Sequence, residues 1–113
     1  MNYDMQNTKS IMITNRNITK QIIVSEISHI VCDAYLCDIF AQNEKFTCSK
    51  LLKYFEMELA DYGFIRINHD ILVNARYIKC INNKTRIVIL KNDTELRISV
   101  RRWKFFKKII MNL

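Results

Sequence analysis

The stretch Phe64-Ile65-Arg66-Ile67-Asn68-His69-Asp70-Ile71-Leu72-Val73-Asn74-Ala75-Arg76-Tyr77-Ile78 decides the fold. A polar triplet, Asn68-His69-Asp70, separates two short apolar runs, Ile65/Ile67 and Ile71-Leu72-Val73. Apolar runs this short, bounded by polar residues, read as strands. The triplet between them is therefore a loop displayed beside a hydrophobic core.

Immediately upstream the period changes from strand to helix. Leu51, Leu52, Phe55 and Leu59 fall on one helical face, while Lys50, Lys53, Glu56 and Glu58 can face water. Ser49 stands where an N-cap belongs, and Gly63, the only glycine in the chain, stands where a left-handed C′ residue ends a helix. The expected helix covers about 49–62. Further upstream, Ile11–Ile13 and Gln21–Val24 read as strands around a turn at Asn15-Arg16-Asn17. Ile27–Asp33 and Ile39–Thr47 continue the strand pattern, with 33–38 undecided between strand and loop.

Downstream, strands are expected at Ile78–Ile81 and in a hairpin with arms Arg86–Leu90 and Glu95–Val100. Its turn, Lys91-Asn92-Asp93, offers Asn and Asp for positive φ in place of glycine. Over 101–112, Trp103, Phe106 and Ile110 form an apolar helical stripe beside Lys104, Lys107 and Lys108. With no proline, repeat or Gly/Ser linker, the expectation is one mostly β domain over 11–113. The two helices are minor, and a polar N-terminus, 1–10, is expected to be frayed.

Charge narrows the function. Of the net +7, residues 1–63 carry 6 Lys/Arg against 8 Asp/Glu, and residues 64–113 carry 12 against 3. So basic a C-terminal half attracts polyanions. No apolar stretch approaches the roughly 20 residues of a spanning helix, and no leader resembles a signal peptide. A soluble, cytoplasmic protein is expected.

Cys32, Cys37, Cys48 and Cys80 contain no CxxC pair, and His29 and His69 lack finger spacing. No metal or cofactor is assigned, and the cysteines are read as reduced, packed thiols. His69 next to Asp70 could suggest acid–base chemistry, but neighbours on an extended chain point to opposite faces. His29, among Ile27, Ile30 and Val31, is read as structural, and Asn74 as closing an Asx-type turn.

The order of motifs resembles the LytTR DNA-binding domain of bacterial transcription regulators over roughly 11–112. Carrying it are Ser49, Leu51, Phe55, Glu56 and Leu59 in the helix, then Phe64, Arg66, Val73, Asn74 and Ile78. The run Ser99-Val100-Arg101-Arg102 opens the last helix. The resemblance implies short antiparallel strands whose loops enter the major groove of double-stranded DNA, usually as two copies on the site. It places the reading loops at Cys37-Asp38, Asn68-His69-Asp70 and Arg101-Arg102. Where the family commonly shows His, a variable residue and Ser, this chain has Asn68, His69 and Asp70. No phosphorylated receiver domain fits before residue 11, so a stand-alone module is expected.

The expected base-reading residues are Asn68, His69 and Arg101, with Arg102 in support and a phosphate contact from Lys104, while Arg66 is read as either a phosphate contact or a solvated strand face. Trp103, Phe105 and Phe106 are read as packing the helix down, and Tyr35 and Tyr77 are left undecided. Two rivals stand beside this reading. One is a protein-interaction module of the same fold that has lost base reading, suggested by Asp38 and Asp70. The other is a small hydrolase using His69, which lacks a paired-carboxylate or metal set.

Overall fold

The structure is a computed structural model that describes residues 9–112. Of the expected frayed segment 1–10, residues 1–8 lie outside the described residues, and Ser10 already opens a strand. Ten strands follow in chain order: β1 Ser10–Asn15, β2 Ile18–Ile23, β3 Ile27–Asp33, β4 Leu36–Ala41, β5 Glu44–Ser49, β6 Phe64–Arg66, β7 Ile71–Asn74, β8 Ile78–Asn82, β9 Ile87–Leu90 and β10 Glu95–Arg97. Helix α1, Leu52–Glu58, lies between β5 and β6, and α2, Val100–Met111, closes the chain. The protein is mostly β, as expected.

The strands form three antiparallel sheets: β1-β2, β10-β9-β8, and a five-stranded sheet ordered β5-β4-β3-β7-β6. The strand pair β6-β7 is covered on both faces, which explains its apolar sequence. Phe64 and Leu72 point into a core with Phe55 and Leu59 of α1, and with Ile11, Ile13, Ile30 and Ile39. Ile65 and Val73, one residue on, point the other way into a second core with Val88, Leu90, Leu96, Ile98 and Phe106. Because side chains alternate along a strand, one short pair can join two cores. Each fully buried Leu, Ile or Phe here contributes about 1.5–3 kcal/mol.

Several boundaries differ from the sequence expectation, each for a local reason. Ser49 is not an N-cap: it ends β5, paired with Leu36 across from it, and the helix starts only at Leu52. The last helical turn tightens to a 3-10 segment, Ala60–Tyr62, before Gly63 takes φ 84° as expected. The single run expected at Ile39–Thr47 is two strands, β4 and β5, folded back at Gln42-Asn43. The undecided segment at 33–38 is a hairpin turn at Ala34-Tyr35 followed directly by β4. At Ala34 and Gln42 the first turn residue takes a positive φ of 55° without glycine, so the composition hides these two turns; Arg16, in the turn expected at 15–17, does the same at 57°.

The cysteines need a second correction. Cys32 and Cys37 face each other across the β3-β4 hairpin, with Cα atoms 4.0 Å apart, and are joined as a disulfide rather than held as separate thiols. Their register is set by the Ala34-Tyr35 turn, which was not legible. Cys48 is a buried thiol whose pKa burial pushes up, whereas Cys80 is exposed on β8 and does not pack as expected.

His29 and Asn74 play the structural parts expected of them. The His29 ring stacks on Phe40 at 4.3 Å between centroids, with Nδ1 2.8 Å from the Ser28 hydroxyl. Asn74, 1% exposed, accepts from the Arg76 N–H at 3.0 Å and donates to the Ile27 carbonyl at 2.9 Å. The Tyr77 hydroxyl donates to the Ser25 carbonyl at 3.3 Å.

Candidate nucleic-acid interface

The loop between β6 and β7 is built by its own side chains. Asn68 Oδ1 accepts from the Asp70 N–H at 2.8 Å, closing an Asx turn that bends the backbone and lifts His69 to the apex. There the His69 side chain is 91% exposed, with Nδ1 3.0 Å from the Asp70 carboxylate. The two side chains meet because the chain is turned at this point, so the expectation that they point apart is corrected. They form an exposed pair on a loop.

The other end of the Asn68 amide ties this loop to the start of α2. Nδ2 donates to the Arg97 carbonyl at 2.8 Å, and the Ser99 N–H donates to the Ile67 carbonyl at 2.9 Å. From the opposite side, Ile98 exchanges bonds with Arg86: its N–H reaches the Arg86 carbonyl at 2.8 Å, and its carbonyl accepts from Arg86 Nε at 3.1 Å. The segment before α2 is thus held on both flanks. A third neighbour is the β3-β4 hairpin, since the Cys32 N–H donates to the Asp70 carbonyl at 2.8 Å. Three stretches far apart in sequence therefore share one edge of the molecule.

Ser99 caps α2, accepting from the Arg102 N–H at 3.3 Å. Arg101 and Arg102 lie in the first turn of this helix, where its opening was expected. Cations there are opposed by the helix dipole, and anions are favoured. Arg101 is exposed and Arg102 half-buried. Arg101, Lys104 and Lys108 fall at helical spacing on one exposed stripe, while Lys107 lies over the Trp103 ring at 5.0 Å. Phe106 is fully buried and Trp103 partly so, as expected, but Phe105 is 62% exposed and does not pack.

The remaining expected site residues separate. Cys37 is fully buried in the α1 core, so its side chain is removed from the interface. At that hairpin Asp33, Ala34, Tyr35 and Leu36 are all exposed, Tyr35 and Leu36 being the large apolar ones among them. Asp38 is half-buried, and its carboxylate accepts from the Thr47 hydroxyl at 2.6 Å. The Arg66 guanidinium is turned inward: Nε donates to the Asn68 carbonyl at 3.2 Å, Nη2 to the His69 carbonyl at 2.6 Å, and Nη1 to Glu56 at 3.2 Å. Glu56, expected to face water, is that partner. Its role was hidden because the pair forms only once α1 packs beside β6. Arg97, also unassigned, is exposed between the loop and α2.

Among the described residues, no helix is long and apolar enough to cross a membrane, and no three metal-ligating side chains converge. What the edge presents is an imidazole, guanidinium groups, lysines and a capped helix N-terminus. That set suits a polyanion carrying hydrogen-bonding groups.

Comparison with known proteins agrees. No curated protein matches the chain. A solved LytTr DNA-binding domain from Bacillus cereus shares its fold, with a TM-score of 0.76 over 92% of this chain and 97% of that one, at 17% identity. The family model of the LytTr DNA-binding domain matches residues 17–111, a span that runs from the start of β2 through the β6-β7 loop to the end of α2 and leaves out only β1 of the described elements. With that span matched, the chain belongs to the LytTR family of DNA-binding domains.

Proposed function

We propose that this chain is a transcription regulator that binds double-stranded DNA sequence-specifically through the edge formed by the β6-β7 loop and the N-terminus of α2. Family membership supports DNA binding by a regulator. The finer reading rests on one observation: the Asn68 amide links the Asp70 N–H to the Arg97 carbonyl, so His69 and Arg101 project from a common frame. In this reading His69 and Arg101 contact base edges in the major groove, where the guanidinium fork matches guanine O6 and N7. Asn68 keeps one N–H and one lone pair for a base, because the other donor and acceptor are engaged within the chain. Arg102, Lys104 and Lys108 track phosphates, which position the protein without reading sequence. Two copies bind one site.

The Asp38 carboxylate is held by the Thr47 hydroxyl inside the sheet, which keeps it from reaching a base although its charge remains. Asp70 faces His69 and can orient its ring. Selection from random duplexes at fixed salt tests the proposal. The expected result is an enriched motif; recovery of no motif overturns it in favour of a protein-interaction module. On the selected site, Arg101→Ala should cost about 1–3 kcal/mol of binding while non-specific affinity changes little.

A further inference from the structure

We infer that Glu56 and Arg66 are positioning residues that fix the shape of the base-reading loop, an inference that rests on the DNA-binding reading above. All three guanidinium nitrogens of Arg66 are engaged within the chain, two of them by backbone carbonyls of the loop itself. The carbonyls of Asn68 and His69 are consecutive, and only a planar fork spans both while keeping a third direction for Glu56. Lysine, a point charge on a flexible stem, reaches one of them at a time. The Arg66 side chain is 17% exposed and Glu56 38% exposed, so the pair sits beneath the loop rather than at its tip.

The division of labour follows from these contacts. The Asx bond of Asn68 sets the turn from above, and the guanidinium sets the carbonyl directions from below. Together they fix the direction in which the His69 side chain leaves the backbone. Glu56 holds the guanidinium under the loop; without it, Arg66 is free to swing toward a phosphate. Helix α1 packs on the far core and offers no base-reading group, yet through Glu56 it acts on base preference. Binding by a preformed loop avoids an ordering cost that a loose loop incurs at each encounter.

The test compares the full chain with Glu56→Ala, Glu56→Gln and Arg66→Lys in two measurements. Amide hydrogen exchange in the DNA-free protein should be about tenfold faster at Asp70 in Glu56→Ala and Arg66→Lys, the loss of about one hydrogen bond. Amides of Ile65 and Leu72 should keep their protection, which separates a loosened loop from a loosened fold. The ratio of affinities for the selected duplex and a scrambled one should fall about tenfold, with the salt dependence unchanged and Glu56→Gln intermediate. Unaltered exchange at Asp70 in both variants overturns the inference. Equal weakening on both duplexes with a shallower salt slope also overturns it, making Arg66 a phosphate contact. A wild-type protein that does not distinguish the duplexes defeats the DNA reading instead, and the exchange measurement still decides whether the pair holds the loop.

Discussion

Asn68 shows how a residue can be legible in kind and hidden in role. Its polar character between apolar runs marks a displayed loop, but its partner Arg97 lies 29 residues away and belongs to a segment whose position depends on the second core. No local pattern contains that bond. His69 is the reverse case, since its exposure follows directly from the Asx turn beneath it. His29 carries a consequence of burial that can be measured. Its pKa falls from 6.5 to about 4 because burial disfavours the charged imidazolium. Between those values the unfolded chain binds a proton that the folded protein does not. Stability is therefore complete above about pH 6.5 and declines as pH falls toward 4, by about 2–3 kcal/mol. Urea unfolding at pH 7, 5.5 and 4 should show this decline, and His29→Phe, which can still stack on Phe40, should flatten it.

At the scale of elements, periodicity recovers the strands and fails at their ends. The 64–78 stretch yields β6, β7 and the start of β8 because alternation and loop polarity agree there. Ser49 is a good N-cap in isolation, and only strand pairing with Leu36 holds it in β5, so α1 starts later than its local sequence indicates. The turn at Gln42-Asn43 is hidden for a different reason: Gln42 adopts φ 55° with no glycine to advertise it. Left-handed backbone costs a non-glycine residue roughly 1–2 kcal/mol, partly offset for glycine by its larger entropy loss on folding. Gln42→Gly should consequently raise unfolding stability by about 0.5–1 kcal/mol in a denaturant titration, because the strain is relieved while the backbone N–H bond to Glu26 is retained. A loss of stability would show that the Gln42 side chain contributes more than its backbone strain costs.

Across the whole molecule, the sequence showed the charge but not the assembly. The excess of basic residues after position 63 was visible from composition, and so was the class of partner. That the β3-β4 hairpin, the β6-β7 loop and the start of α2 meet at one edge depends on hydrogen bonds between segments no local reading connects. The burial of Cys37, which leaves 33–36 as the exposed part of that hairpin, follows from the same packing. The basic stripe on α2 makes a quantitative prediction at this scale. If Lys104 and Lys108 each neutralise one phosphate per copy, Lys104→Ala/Lys108→Ala should make the log–log salt slope shallower by about 1.8 per bound copy. An unchanged slope would place both lysines in solvent.

Whether this edge is the surface that meets DNA is tested most directly by an NMR titration of isotope-labelled protein with a duplex from the random selection. The large backbone shift changes are expected at 33–38, 66–70 and 97–104, with the α1 surface and the β1-β2 hairpin unmoved. Changes concentrated on α1 or on β1-β2, with the His69 loop and the start of α2 silent, would contradict this expectation.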